Sequence, residues 1–249
     1  PQEDVWEEPD GTLLDPFRPQ IQPGGFTSPE EFALDRSEHF SSIRKAFENL
    51  DVFIFTLGLT EAWVSSADGA VYPLCPGVAG GEFDPGKYHF QNFTIDETSH
   101  DMLAFIELLR AVNPSARIIV TVSPVPLVAT AEDRHVLVST TYSKSVLRVA
   151  CEHLAREYQH VTYFPSYEII TGNFTRGAYF ADDLRSVTEE GVNHVMRVFF
   201  RHFTDHAHPQ ACSSHPSGDA HTEEMARLIQ ANCDEEALDL DKTPTKKIS

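Results

Sequence analysis

The chain has 249 residues and a formal net charge of −19, and with 41% apolar and 23% charged residues it has the composition of a globular protein with a core of its own. Acidity of that size excludes nucleic acid and anionic membrane surfaces as partners, because both would repel the chain. No apolar run reaches the roughly eighteen residues of a membrane-spanning helix, and four widely spaced cysteines with no C-x-x-C fit reduced thiols in a cytoplasmic protein.

In chain order, residues 1–36 are rich in Pro and Gly with no sustained period, which predicts an irregular segment packed on a domain. A parallel domain rarely opens on so much irregular chain, so the expectation is the C-terminal part of a longer protein. Residues 37–50 carry Phe40, Ile43, Ala46, Phe47 and Leu50 at helical spacing, with Ser37 as the expected N-cap. The stretch DVFIFTLGLTEAW (51–63) is central: Val52, Phe53, Ile54, Phe55 and Leu57 read as a strand buried on both faces. It exits through Gly58-Leu59-Thr60-Glu61, at the strand end where open α/β proteins place ligands.

Residues 64–92 read as a long loop with a short hairpin near Asp68-Gly69, and loops of that length usually cover or carry a site. A helix over 95–112, stopped by Asn113-Pro114, leads to a second buried strand, RIIVTVS (117–123), parallel to the first. A third helix over 139–158, a third strand over 161–164 and a fourth helix over 188–203 follow, the last with Glu189 and Glu190 at its positive end. Residues 204–249 read as an acidic, partly helical, largely flexible tail. Its His206, His208, Cys212, His215, His221 and Cys233 match no zinc spacing, so neither a metal nor a cofactor is expected.

Alternating strands and helices over 37–203 predict an α/β fold, a three-layer α/β/α sandwich with a mainly parallel sheet of flavodoxin-like kind. Polar clusters sit after its strands, at 58–63, 123–126 and 165–168, and a fourth spans 182–191. Glu61 is an acid or base candidate if buried, or else a cap for its turn; Trp63 and the aromatics of 88–93 could wall a pocket or be ordinary core. Asn92 and Ser123 are read as substrate-binding positions. Arg185 could take a carboxylate or phosphate, or simply pair with Asp182 and Asp183. Tyr142, Ser143 and Lys144 read as a solvated helix start, and His135 and His194 are the candidate bases.

Two of these clusters resemble blocks of the SGNH (GDSL-type) hydrolases. Gly58-x-Thr60-Glu61 resembles the G-x-N-D block, and Asp183, Thr188 and Gly191 resemble the frame of the late D-x-x-H block and the helix after it. More narrowly, TLGLTEAW, TVSPVPLVAT, TTYSKSVLRVA, YFPSYE and DDLRSVTEEGVNHVM, in that order, resemble the GSCFA-domain family, across most of residues 5–203. That family's Gly-Ser-Cys-Phe-Ala motif does not occur here. The resemblance therefore implies a first strand, ending in the nucleophilic Ser, that lies upstream of Pro1.

The chemistry so implied is acyl transfer from an ester of a small hydroxylated or carbohydrate compound, with Ser as nucleophile, His as base and Asp183 orienting it. Gly58 N–H and the Thr60 hydroxyl would hold the oxyanion. Two positions depart from the pattern: Thr60 stands where the superfamily has Asn, and Ser186 where it has His. Those losses equally fit a binding module with no turnover, the alternative reading.

Overall fold

The computed structural model describes residues 5–204. The chain divides into two compact units, Pro1–Arg176 and Gly177–Ser249.

The first unit begins with a small hairpin, β1 (Trp6–Glu7) against β2 (Leu13–Leu14), bridged on to Phe26. This segment is held by specific packing. Trp6 and Phe17 stack on Tyr72 with ring centroids 6.1 and 5.3 Å apart. Glu8 accepts from Gly81 N–H at 2.9 Å. A Cβ on Gly81 would stand 2.8 Å from the Trp6 ring, so a close approach requires glycine there, quite apart from its φ of +68°. Asp15 is buried and receives Arg36 Nη2 at 2.8 Å and Arg18 Nε at 2.9 Å, which ties the segment to the next helix.

That helix, α1 (Pro29–Asn49), starts eight residues before the predicted Ser37 cap. Ser28 is the cap, its hydroxyl accepting from Glu31 N–H, with Pro29 in the first turn and the Glu31 carboxylate receiving Thr27 N–H and Oγ1. Those signals stand in the sequence, and the sparse apolar residues of the first two turns hide them.

β3 (Val52–Leu57), β7 (Arg117–Val122) and β8 (Val161–Tyr163) form one parallel sheet in the order β3-β7-β8. Between β3 and β7 the chain builds a second, antiparallel sheet from β4 (Glu61–Ser65), β5 (Val71–Tyr72) and β6 (Tyr88–Asn92), ordered β5-β4-β6. The hairpin expected at Asp68-Gly69 is the β4-β5 turn, whereas the β4-β6 pairing corrects the expected long loop. α2 (Ile95–Val112) follows, opened by a capping box between Thr94 and Glu97. α3 (Val136–Glu157) packs on α2, β7 and β8, and α4 (Ser166–Thr171) closes β8 against β7. The core is Ile106 and Leu109 of α2, Ile118, Val120 and Val122 of β7, and Leu147, Cys151 and Leu154 of α3. Burial pushes the Cys151 thiol up to about 12.

β3 is not the doubly buried strand that its composition predicted. Among the described residues it is an edge: β7 is its one neighbour in the sheet, and Ile54 and Phe55 stay 45% and 39% exposed. Arg117 N–H donates to Asp51 O and Ser123 N–H to Leu57 O. In a parallel ladder this alternation turns the amide groups of Val52, Ile54 and Thr56 away from β7, toward the open edge. An uncharged apolar run with that geometry is the kind of edge that native sheets cover.

In the second unit, α5 (Glu189–Phe203), the helix predicted over 188–203, is capped by Thr188, whose hydroxyl accepts from Gly191 N–H. The histidines and cysteines from His206 onward, and the helical part expected in the tail, lie outside the described residues.

Candidate functional site

β3 and β7 part after Leu57 and Val122, and the chain turns through Gly58-Leu59-Thr60 into β4. This strand-end turn is clamped from below by two consecutive residues of α3. Ser143 Oγ accepts from Thr60 N–H at 2.9 Å, and Lys144 Nζ donates to Gly58 O at 2.8 Å. Ser143 is 0% and Lys144 2% exposed, which overturns their reading as a solvated helix start. The signal was present: Ser139, Ser143, Leu147 and Cys151 recur every four residues along α3, so the serines share the buried stripe. We expect Ser143→Ala to leave Thr60 N–H buried without its acceptor and to cost about 1–3 kcal/mol in denaturant unfolding. Ser145→Ala, whose hydroxyl meets Thr141 O on the exposed face, should stay within about 0.5 kcal/mol.

A cleft of about 180 Å3 opens beside this turn, lined among others by Phe55, Gly58, Leu59, Phe93, Asp101 and Met102. Thr60 borders it but has its polar groups spent. Beside the N–H given to Ser143, its Oγ1 donates to Asn92 Oδ1 at 2.7 Å, and its carbonyl accepts from Phe93 N–H. Asn92 Nδ2 passes the connection to Glu132 at 2.9 Å.

The loop of residues 123–135 is fastened at the same place. Glu61 accepts from Thr130 Oγ1 at 2.6 Å and from Ala131 N–H, Thr130 meets Ser139, and Arg134 Nε donates to Ser139 while its guanidinium lies over the Tyr142 ring. Glu61 is therefore a latch for this loop. Ser123 shapes its start, its Oγ accepting from Val125 N–H. Trp63 packs edge-on against Phe83 and, across the β4-β6 pair, against Phe90, at 5.1 and 5.8 Å, and is not among the residues of the cleft.

His135 is the N-cap of α3, and its Nδ1 accepts from Leu137 N–H. An accepting Nδ1 leaves the proton of the neutral ring on Nε2, so in this state the ring offers a donor there and no lone pair. In the second unit, Asp183 closes its own turn: Oδ1 accepts from the Arg185 and Ser186 amides at 2.9 Å each, and Oδ2 from Ser186 Oγ at 2.5 Å. The Ser186 hydroxyl, then the two amides, hold this carboxyl below its usual range. His194 has a different partner, Tyr179, with Oη 2.7 Å from Nδ1. Tyr179 escaped the sequence reading because nothing in its spacing marks it.

Among the described residues, no group of three or more His, Cys, Asp or Glu is placed to hold a metal, and no helix is long and apolar enough to cross a membrane.

The structure thus joins four of the sequence blocks in its first unit: the TLGLTEAW turn, the loop of TVSPVPLVAT, the α3 start in TTYSKSVLRVA, and the β8-α4 junction in YFPSYE. A search of curated proteins finds no match to the chain. The family model described as "GSCFA family" matches residues 2–199, which takes in these blocks and DDLRSVTEEGVNHVM up to the last turn of α5, and the chain belongs to the GSCFA family.

Proposed function

We propose that the full-length protein is an SGNH-type ester hydrolase or O-acyltransferase, acting on an acyl ester of a small hydroxylated or carbohydrate compound. The observation that supports this reading is the open β3 edge ending on a cleft at the C-terminal end of a parallel strand. A further parallel strand, supplied from upstream of Pro1, would pair with Val52, Ile54 and Thr56 and complete a three-layer α/β/α sandwich. Its C-terminal end would then deliver a Ser to the Gly58 rim. Ser Oγ attacks the ester carbonyl and loses its proton to a base; the C–O bond to the alcohol breaks, the alcohol leaves with that proton, and water or an acceptor hydroxyl releases the acyl group.

Gly58 borders the cleft at the end of β3, which suits its N–H to the developing oxyanion. Thr60 supports the rim through Ser143 and Asn92 and donates nothing to substrate. His194, in the second unit, pairs its Nδ1 with Tyr179 Oη, and in the tautomer in which that oxygen accepts from Nδ1–H its Nε2 keeps the lone pair a base needs. The second reading, a binding module without turnover, is favoured by one observation: the Asp183 carboxylate and both Thr60 donors are already engaged.

The experiment is turnover of p-nitrophenyl acetate by the full-length protein. We expect hydrolysis that is lost when the upstream Ser is replaced by Ala, and none from residues 1–249 alone. Absence of turnover in the full-length protein, or Ser-independent turnover, would count against the enzyme.

A further inference from the structure

We infer that the cleft beside the Gly58-Thr60 turn is the seat of the acyl chain, and that it takes an unbranched, uncharged chain of about six carbons. The inference rests on the reading of this cleft as the ligand site of an acyl ester, and adds the acyl class that the reading leaves open.

The lining is graded in polarity. Leu57 at the end of β3, Met102 of α2 and Leu147 of α3 are buried, so three elements supply an apolar floor. Thr60, the buried polar member, has its N–H, its hydroxyl proton and its carbonyl bonded within the protein, so nothing at that depth calls for a polar ligand atom. Such a floor gains when methylene groups replace water on it. Phe55 and Leu59 line the same cleft and stay exposed, and a chain entering past them would take further apolar surface out of water.

Asp101 is exposed and marks the mouth. Its carboxylate, in a chain of net charge −19, opposes an acyl group that ends in a second carboxylate, and the floor offers such a group no partner. Neutral acyl groups are thereby favoured over dicarboxylic ones.

Length follows from volume. An apolar cavity of about 150 Å3 takes up one benzene ring, so the cleft of about 180 Å3 holds a chain of about six carbons and not a long lipid chain. Its walls are held: Phe93 N–H is tied to Thr60 O, and Thr98 lies in the turn opened by the Thr94-Glu97 capping box. Met102, unbranched and adaptable, fits the floor to the chain end.

The test is an amide-resolved titration of residues 1–249 with acetamide, butanamide, hexanamide and octanamide, repeated on the full-length protein. Affinity should rise about threefold to fourfold per added carbon as far as hexanamide and then level off, with shifts at the Leu59, Phe93, Thr98 and Met102 amides. The monoamide of adipic acid, as long as hexanamide but ending in a carboxylate, should bind at least about tenfold more weakly. Met102→Ala, which opens the floor, should let octanamide bind more tightly than hexanamide. Should that variant fail to fold, Thr98→Leu decides, because its half-buried position accepts a larger side chain. It should weaken hexanamide at least about fivefold and leave acetamide within about twofold. Three results would overturn the inference: hexanamide bound no more tightly than acetamide, hexanamide affinity in Thr98→Leu within about twofold of the parent, or loss of hexanamide binding in the full-length protein. Amide binding needs no nucleophile, so an absence of ester turnover leaves it standing, and turnover with no preference for chain length would count against this inference alone.

Discussion

Arg36→Ala is expected to destabilise the first unit by about 3–5 kcal/mol, because it leaves the buried Asp15 carboxylate without its principal cation. The loss has two parts, the bidentate contact from Arg36 to Asp15 and the stacking of the same guanidinium over Phe32 at 4.5 Å. Exposed pairs such as Arg156–Glu152 should contribute about 0–1 kcal/mol by comparison.

The Asp15 pair also sets an acid dependence. Burial pushes the Asp15 carboxyl up, but hydrogen bonds from Arg36, Phe17 N–H and Arg18 outweigh it, and the group ends below its usual value. A carboxyl lowered in the folded state stabilises fully above its unfolded pKa, and that contribution fades as pH falls through the folded one. Asp15→Asn should therefore lower stability near neutral pH and flatten the loss on acidification. Equal acid slopes for the parent and Asp15→Asn would contradict the assignment.

Ile106→Ala should cost about 2–5 kcal/mol, the range for removing a fully buried branched side chain from a packed core. Leu108→Ala, two residues away and 69% exposed, should stay within about 0.5 kcal/mol. The contrast fixes which face of α2 meets β7 and α3, and similar losses at both positions would mean that the helix is rotated from the orientation described.

What the sequence disclosed depended on whether a residue's partners were local. α2 was legible at both ends, since Thr94 with Glu97 is a start signal and Asn113-Pro114 a stop. The parallel pairing of β3 with β7, the third strand β8, and the fourth helix were likewise readable from apolar period. The exposure of β3 was not, because VFIFTL reads the same whether its far edge is covered or open. β4 and β6 were hidden for another reason: EAWVS and YHFQN pair across more than twenty residues, and neither alternates cleanly.

At the site, the strand-end turn at Gly58 drew attention in the sequence, and in the structure it lines the cleft. The clamp from Ser143 and Lys144 was misjudged because polar residues on a helix are usually solvated, and only the stripe they share with Leu147 and Cys151 says otherwise. Glu61 and Asn92 drew attention as chemistry and are found fastening the loop of residues 123–135.

The open edge of β3 is the point on which the functional reading turns, and amide hydrogen exchange reads it residue by residue. In residues 1–249, Phe53, Phe55 and Leu57 should be protected, while Val52, Ile54 and Thr56 exchange rapidly. In a longer protein carrying the segment upstream of Pro1, all six should be protected together. Rapid exchange persisting at Val52, Ile54 and Thr56 in the longer protein would contradict the account.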